Sequence, residues 1–261
     1  MRTVRTYYAA VVLMLVCSNG SACVAPAEDQ SPVALDSDTA VTLLGAYILF
    51  DASLQPTLEA AACADEYPLS NSAYFSAARG WALDTGPARL VVLGDSTMDI
   101  STRYAGYLSA DSRNRAISGN SICDVHQQLP AVQFFGLSEI FISTADGNGV
   151  LQGVSTATSI RAGEALIDRL RERWPLARIT VVGIHPTLIA QANANKGAVN
   201  AGIKAYVDAD GNACYLDPLP IFGVAEGAAA SPAQMLDDVH YSFAMSWAIR
   251  QAAFDQCAVQ L

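Results

Sequence analysis

From residue 89 onward, short apolar runs alternate with longer segments of mixed polarity. The runs have the length and composition of buried strands. They are Arg89–Leu93, Arg115–Ile117, Glu139–Ser143, Arg178–Ile184 and Ala213–Leu216. The segments between them are long enough for crossover helices, and such an alternation is typical of a parallel sheet covered by helices on both faces. The pattern therefore predicts an α/β domain.

One of the intervening segments carries an apolar stripe at helical spacing, formed by Leu166, Ile167, Leu170 and Trp174. A stripe with this period is the buried face of an amphipathic helix. The arginines next to it are expected on the solvent-exposed face, and they are Arg169, Arg171 and Arg173. The segment from Thr187 to Asn200 is rich in Asn and Ala. We expect it to be a loop that shapes a substrate pocket.

The first 27 residues have the pattern of a secretory signal peptide. Basic Arg2 and Arg5 precede an apolar run from Tyr7 to Cys17, and small residues end the segment at Ala25–Pro26–Ala27, which fits an A-x-A cleavage site. The apolar run is shorter than the roughly 20 residues that span a bilayer. The sequence therefore predicts an exported protein, periplasmic or secreted, without a transmembrane segment.

A lipid anchor is the alternative at the N-terminus. Gly20–Ser21–Ala22–Cys23 is a weak match to a lipoprotein signal, in which Cys23 would carry the lipid. After the signal, residues 28–40 are polar and acidic and predict a linker. Residues 41–87 are rich in Ala and interrupted by Pro, which predicts an extension of short helices. The α/β domain then comprises residues 88–261.

The chain is acidic, with 25 Asp and Glu against 15 Lys and Arg, a net charge of −10. Cleavage after residue 27 removes two arginines and no acid, which leaves a net charge of −12. Such a surface repels nucleic acids and anionic membranes, so neither is expected as a partner. Charge does not set the oligomeric state, and we expect a monomer.

Cysteine usage agrees with export. The cysteines that remain after residue 27 are Cys63, Cys123, Cys214 and Cys257. An even number in an exported chain predicts two disulfides, for which three pairings are possible. No C-x-x-C spacing indicates metal or redox chemistry.

Glycine and polar residues follow the predicted strands at the points where the strands end. Gly94–Asp95–Ser96 follows the first strand, Ser118–Gly119 the second and Asn148 the third, while Asp237 and His240 precede a last helix. Ligands of open parallel sheets bind beyond the carboxyl ends of the strands. Together these residues contain the parts of an acyl-transfer site, namely a hydroxyl nucleophile, a base with its acid, and donors for an oxyanion.

In this order, the residues resemble the four sequence blocks of the SGNH or GDSL hydrolase family, from Leu90 to Tyr241. Gly94–Asp95–Ser96 resembles the first block, Ser118–Gly119 the second, Asn148 part of the third and Asp237-x-x-His240 the last. The resemblance implies a three-layer α/β/α sandwich with a five-stranded, flavodoxin-like parallel sheet, and ester hydrolysis. The third block departs from its usual Gly-x-Asn-Asp form, because Asp146 and Gly149 stand where Gly and Asp are usual.

The resemblance also implies a role for each of these residues. Ser96 is the nucleophile, His240 the base that takes its proton, and Asp237 the acid that orients the imidazole. The backbone N–H groups of Ser96 and Gly119 and the side-chain amide of Asn148 form the oxyanion hole. The H-E-x-x-H, Walker A and G-x-G-x-x-G motifs are absent from the sequence. No cofactor or metal is expected.

Other polar residues near the strand ends have simpler interpretations. His126 is expected on a helix with a structural or surface role. His185 ends the fourth strand, at the edge of the sheet where ligands bind. It is therefore either a substrate-binding residue in the pocket wall or a residue with a packing role alone. Asp95 and Asp99 are expected to cap the helix after Ser96, since acids are favoured at helix N-termini.

The predicted topology also favours one pairing of the cysteines. A last helix that starts near His240 runs back toward the beginning of the fifth strand, where Cys257 approaches Cys214. Cys63 then pairs with Cys123.

The function predicted from the sequence is that of an exported serine esterase acting on an acetyl or acyl ester of a glycan, a lipid or a small molecule. Two alternatives stay open, an acyltransferase that uses the same site and a non-catalytic glycan-binding module on the same fold.

Overall fold

A computed structural model describes residues 84–105, 108–143 and 147–261 of the chain. The predictions for the signal peptide, the linker and all but the end of the helical extension lie outside the described residues, as do those for Cys23 and Cys63. The boundaries proposed between these segments and the α/β domain therefore stay predictions.

The described residues form two parallel sheets. Their strands are β1 (Asp84–Pro87), β2 (Leu90–Leu93), β3 (Ser112–Asn114), β4 (Val132–Phe135), β5 (Glu139–Ser143), β6 (Arg178–Val182) and β7 (Ala213–Leu216). The main sheet has five parallel strands in the order β3-β2-β5-β6-β7. β1 pairs with β4 in a separate two-stranded parallel sheet. The predicted five-stranded parallel sheet is confirmed, and its order is flavodoxin-like.

Helices cover both faces of the main sheet. They are α1 (Ser96–Ala105), α2 (Ile122–Gln128), α3 (Gly147–Leu151), α4 (Thr156–Arg173), α5 (Ala190–Ala209), α6 (Pro218–Phe222) and α7 (Phe243–Cys257). Short 3-10 turns follow α2 and precede α7. With helices on either side of the sheet, the architecture is the predicted three-layer sandwich.

The central strands show why the sheet is buried on both faces. Alternate side chains of a strand point to opposite faces, and in β2 Val91 and Leu93 join one core cluster while Leu90 and Val92 join the other. The first cluster includes residues of α2, α4 and α5, and the second residues of α1 and α7. All four β2 residues are fully buried. This explains why the strand reads as a continuous apolar run without polar alternation.

The second strand of the main sheet lies earlier in the chain than predicted. It spans Ser112–Asn114, and the predicted residues Arg115–Ile117 form a loop. The Asn114 side-chain oxygen accepts a hydrogen bond of 2.9 Å from the Ala116 N–H, a local contact typical of a turn. The apolar residues of the loop are buried, and the N–H groups of Arg115 and Ile117 still donate to the carbonyls of Val92 and Gly94 next to it. The segment therefore has a strand-like pattern although it lies beyond β3.

Two other segments differ from their predicted structure. Asp84–Pro87 is a strand where a helical extension was expected. Residues 190–200 belong to helix α5 and not to a loop. The polar side chains of this helix are in part buried, so an amphipathic pattern of the usual kind is missing.

The arginine pattern of α4 was predicted correctly only in part. Arg171 reaches Asp210 and Arg173 the Val132 carbonyl, but Arg169 is buried beside the α2 layer. α4 packs against both α2 and α5. A helix with two helical neighbours buries more of its surface than a single stripe.

A disulfide joins Cys214 of β7 to Cys257 at the end of α7, which confirms that predicted pairing. Cys123 is also in a disulfide, and its predicted partner Cys63 lies outside the described residues. Within the residues that the structure describes, no helix has the length and apolar character needed to cross a membrane.

Candidate active site

The Gly94–Asp95–Ser96 turn lies at the end of β2, next to the end of β5. Gly94 has φ of +130°, a conformation that favours glycine, and a Cβ there would lie 2.2 Å from the Ser143 Oγ. The Asp95 carboxylate accepts a hydrogen bond of 2.9 Å from the Thr97 N–H and so caps α1, as predicted. Ser96 is thereby the first residue of α1, and its hydroxyl lies beyond the end of the strand.

Burial raises the pKa of the Asp95 carboxyl, although hydrogen bonds from Thr97 act in the opposite direction. Asp99, the other predicted cap, has a different contact. Its carboxylate accepts a hydrogen bond of 2.7 Å from the Ser118 hydroxyl. This bond connects α1 to the turn after β3, so Asp99 holds the second sequence block against the first.

The side chains of Ser96, His240 and Asp237 form a continuous chain of hydrogen bonds. The distance from Ser96 Oγ to His240 Nε2 is 2.8 Å, and that from His240 Nδ1 to Asp237 Oδ2 is 2.7 Å. Ser96 and His240 are 144 residues apart in the sequence. The tertiary structure thus brings together the three residues to which the resemblance assigns catalysis.

The hydrogen bonds determine the tautomer of a neutral His240 ring. Burial acts to raise the pKa of Asp237, but hydrogen bonds from the His240 backbone and ring and from the Val239 N–H outweigh it and lower the pKa to about 2. An ionised carboxylate only accepts hydrogen bonds, so Nδ1 of His240 donates to it. Nε2 is then free to accept the hydrogen bond from Ser96.

Asp237 also shapes the loop that carries His240. Its Oδ1 accepts hydrogen bonds from the backbone N–H groups of Val239 and His240, at 2.8 and 2.7 Å. The loop is closed by a bridge between Met235 and Tyr241 and by a hydrogen bond from the Leu236 N–H to the His240 carbonyl. The three-residue offset therefore places the acid so that it holds both the ring and the backbone of the base.

The predicted oxyanion donors Gly119 and Asn148 are also brought near each other. Gly119 has φ of +87° in the turn after β3, which favours glycine. Asn148, on α3, donates a hydrogen bond of 2.7 Å from its amide to the carbonyl of Asn120. Asn148 lines the same pocket as Ser96. A second amide hydrogen of Asn148 remains for a ligand, because a side-chain amide carries two.

Comparison with known proteins gives structural matches. No family model matches the chain, and neither does any curated protein. A GDSL-like lipase from Bacteroides thetaiotaomicron is 16% identical with a TM-score of 0.54, over 74% of this chain and 98% of that one. A candidate acylhydrolase from Bacteroides fragilis is 14% identical with a TM-score of 0.56, over 72% and 95%. An acetyl-xylooligosaccharide esterase from Geobacillus stearmophilus is 15% identical with a TM-score of 0.50, over 68% and 96%.

The chain has the GDSL/SGNH hydrolase fold. The resemblance found in the sequence is thus confirmed at the level of the fold. Among the described residues of this SGNH fold, no group of three or more His, Cys, Asp or Glu side chains could hold a metal ion.

His185 lies in the pocket of the SGNH fold and also contacts the His240 loop. It lines the pocket together with Ser96, and its Nε2 lies 2.7 Å from the Val239 carbonyl. The ring packs edge-on against Tyr241, with 4.8 Å between centroids. Burial lowers the pKa of His185 to about 4, which keeps the ring neutral at pH 7. A role for His185 in binding the substrate stays a prediction. The sequence did not predict its contact with Val239.

Two asparagines of α5 hold the segment around His185. The Asn200 side chain exchanges hydrogen bonds with the N–H and C=O of Ile184, at 2.8 and 2.9 Å. Asn193 does the same with the N–H and C=O of Thr187, at 2.9 and 2.8 Å. Buried backbone groups need partners, and beyond the end of β6 these side chains replace the neighbouring strand. The Asn-rich sequence therefore serves a pocket wall, although it is a helix.

Among the pocket residues that sequence reasoning did not single out are Lys196 on α5 and Thr187 before it. The predicted loop from 187 to 200 contained both, but nothing singled them out. A lysine within an apolar or amide-rich helix is the only signal that could have done so. His126, by contrast, lies on α2 as predicted, where it is buried and contacts the Ala162 carbonyl.

Proposed function

We propose that this protein is an SGNH serine esterase that forms an acyl-enzyme on Ser96. The observation that carries the proposal is the 2.8 Å contact between Ser96 Oγ and His240 Nε2. A serine hydroxyl needs a base within hydrogen-bond reach to act as a nucleophile at neutral pH. Structural likeness to lipases and to a carbohydrate acetyl esterase supports ester hydrolysis as the reaction class.

In the first half of the reaction, Ser96 Oγ attacks the ester carbonyl carbon while His240 Nε2 takes the hydroxyl proton. The ring becomes an imidazolium, which the ionised Asp237 stabilises. The carbonyl oxygen becomes an oxyanion. The tetrahedral intermediate then expels the alcohol, to which His240 returns the proton, and the acyl group stays on Ser96.

In the second half, a water molecule attacks the acyl carbonyl. His240 takes a proton from the water, and the carboxylic acid leaves as Ser96 recovers its proton. An oxyanion forms on the same carbonyl oxygen in each half of the reaction, so its donors act in both halves. We assign the Ser96 N–H, the Gly119 N–H and the second amide hydrogen of Asn148 to this role, since preorganised donors cost no reorganisation during the reaction.

We further propose that the protein works outside the cytoplasm after removal of residues 1–27. The disulfide between Cys214 and Cys257 supports this, because structural disulfides persist in oxidising compartments. Mass analysis of the mature N-terminus tests it. We expect a mature chain that starts near Glu28. A mature chain that starts at a lipidated Cys23 would instead show that the protein is a lipoprotein.

Turnover of 4-nitrophenyl acetate, butyrate and octanoate by purified protein tests the esterase proposal. We expect a fluorophosphonate probe to label the native protein on the peptide that contains Ser96. We expect Ser96→Ala to abolish this labelling and to reduce turnover to the uncatalysed rate. Equal turnover by both proteins would reject Ser96 as the nucleophile. Adding an acceptor alcohol and analysing the products separates hydrolysis from acyl transfer.

Ser101→Ala is a matched control for this experiment. Ser101 lies on the same helix, is buried, and accepts a hydrogen bond of 3.1 Å from the Ser246 hydroxyl. The substitution removes a buried hydroxyl of α1 without touching the nucleophile. We expect turnover and labelling to persist in this variant.

A further inference from the structure

Lys196 is a buried cation in the wall of the pocket that contains Ser96. It is the seventh residue of α5, and its relative exposure is 1%. Lys196 lines the pocket together with Ser96, Asn148, His185 and Thr187. Lysine is seldom fully buried unless it is paired, so the burial of the Lys196 ammonium group needs an explanation.

The ammonium group has little compensation within the protein. Its Nζ donates a hydrogen bond of 3.0 Å to the side-chain oxygen of Asn193, a neutral group that also accepts from the Thr187 N–H. Among the described residues, no carboxylate comes within the 4.0 Å of an ion pair with Lys196. An ammonium has three donors, so two remain for something else in the pocket.

Glu226 is the acid whose charge acts on Lys196. Its carboxylate is exposed and accepts a hydrogen bond of 3.1 Å from the Gly227 N–H. Burial lowers the pKa of Lys196 to about 8, and the attraction of Glu226 opposes this change. The side chain is therefore mostly charged at pH 7.

Lys204 on the same helix shows the ordinary arrangement. It is half exposed and forms an ion pair with Asp208, four residues later. Its charge is met by solvent and by a carboxylate. Lys196 is buried and has only the more distant attraction of Glu226, and burying a charge without a paired counterion is costly. A bound anion would remove that cost.

We propose that Lys196 binds a carboxylate of the ester substrate, so that the enzyme prefers esters with an anionic group close to the scissile bond. This rests on the esterase function proposed above. A single lysine acts as a point charge and suits one carboxylate, whereas phosphate sites favour forked arginines or several donors. The carboxylate can belong to the acyl part or to the alcohol part of the ester.

Two pairs of esters distinguish these sources. Mono-4-nitrophenyl glutarate against 4-nitrophenyl pentanoate tests a carboxylate in the acyl part. 3-Acetoxybenzoate against 3-acetoxybenzamide tests one in the alcohol part. The rate with Ser96→Ala is subtracted for every ester. We expect the ratio of kcat/KM for the anionic to the neutral ester to fall at least about tenfold in Lys196→Met for one of the pairs, since a hydrogen bond to a charged group is lost.

Lys204→Met is the matched control, because it removes a lysine from the same helix outside the pocket. It is expected to leave both ratios unchanged. Lys196→Gln serves as a second variant, since it retains a donor for the Asn193 oxygen while removing the charge. Near-UV circular dichroism and thermal unfolding establish that each variant is folded. Ratios that stay within about twofold in both folded variants, for both pairs, would overturn the proposal.

A binding measurement separates this proposal from the esterase proposal. Isothermal titration of Ser96→Ala with glutarate and with 3-hydroxybenzoate needs no turnover. Saturable binding to Ser96→Ala that is lost in the double variant, which also carries Lys196→Met, supports the carboxylate site even if no ester is hydrolysed. Ester hydrolysis that depends on Ser96, without carboxylate preference or binding, rejects the site and leaves the esterase function standing.

Discussion

The Nε2 atom of His185 donates a hydrogen bond of 2.7 Å to the carbonyl oxygen of Val239, the residue directly before His240. A carbonyl only accepts, so the neutral His185 ring carries its proton on Nε2. The Leu188 N–H also bonds the carbonyl of Asp238, at 2.9 Å. The segment after β6 therefore holds the loop of the proposed base at two successive residues. We therefore expect His185 to position His240.

Replacing His185 by Phe should lower kcat about tenfold with little change in KM, because the loop loses its hydrogen bond while the ring packing remains. His185→Gln retains a side-chain donor and should recover part of the loss. Steady-state kinetics with 4-nitrophenyl butyrate measures both variants. If the Phe and Gln variants change KM alone, His185 contacts substrate and does not position the base.

Asp237→Asn should lower kcat by about 10²- to 10⁴-fold, since an amide cannot hold the His240 ring in the required tautomer. We expect a value at the lower end of this range, because the Asp237 side chain is 56% exposed. Asp238→Asn provides the matched control, as its neighbouring carboxylate is also exposed. Equal losses in the two variants would show a general effect of charge on the loop.

Asn148→Ala should lower kcat by about 10²- to 10³-fold, the usual cost of one oxyanion donor. The substitution also removes the hydrogen bond to the Asn120 carbonyl, so folding is checked by thermal unfolding. KM is expected to change little, because the oxyanion exists only in the transition state. A variant with wild-type kcat would remove Asn148 from the proposed oxyanion hole.

The pH dependence of stability should reveal the buried His126. Burial lowers its pKa to about 4, below the ordinary value of 6.5. The folded protein then binds fewer protons than the unfolded chain between pH 6.5 and pH 4, so stability is full above pH 6.5 and is lost as the pH falls through this window. The loss from one such group reaches roughly 3 kcal/mol.

His126→Gln retains a donor for the Ala162 carbonyl without the titration. The free energy of unfolding of the wild type, minus that of the variant, should therefore fall as the pH is lowered from 7 to 4. Urea titrations at each pH measure this difference. A difference that stays constant with pH would mean that His126 is not titrating in this range. His185 contributes a similar loss in both proteins, so it cancels in the comparison.

Local sequence pattern was sufficient for much of the fold and for one half of the site. Apolar runs predicted four of the five main strands, and the Asp237-x-x-His240 spacing predicted an acid bonded to its base. Both depend on residues near each other in the chain, where backbone geometry limits the possible arrangements. The pairing of Cys214 with Cys257 followed from the predicted topology alone.

The sequence by itself determined the alternation of strands and helices and the residue types at the strand ends, because periodicity and turn chemistry are local. Only the tertiary structure decided that Ser96 lies 2.8 Å from His240, that α5 is a helix and not a loop, and that Lys196 is buried in the pocket. These properties depend on packing between segments that are distant in the chain. A lysine among alanines and asparagines has the same local pattern whether its ammonium faces water or a binding site.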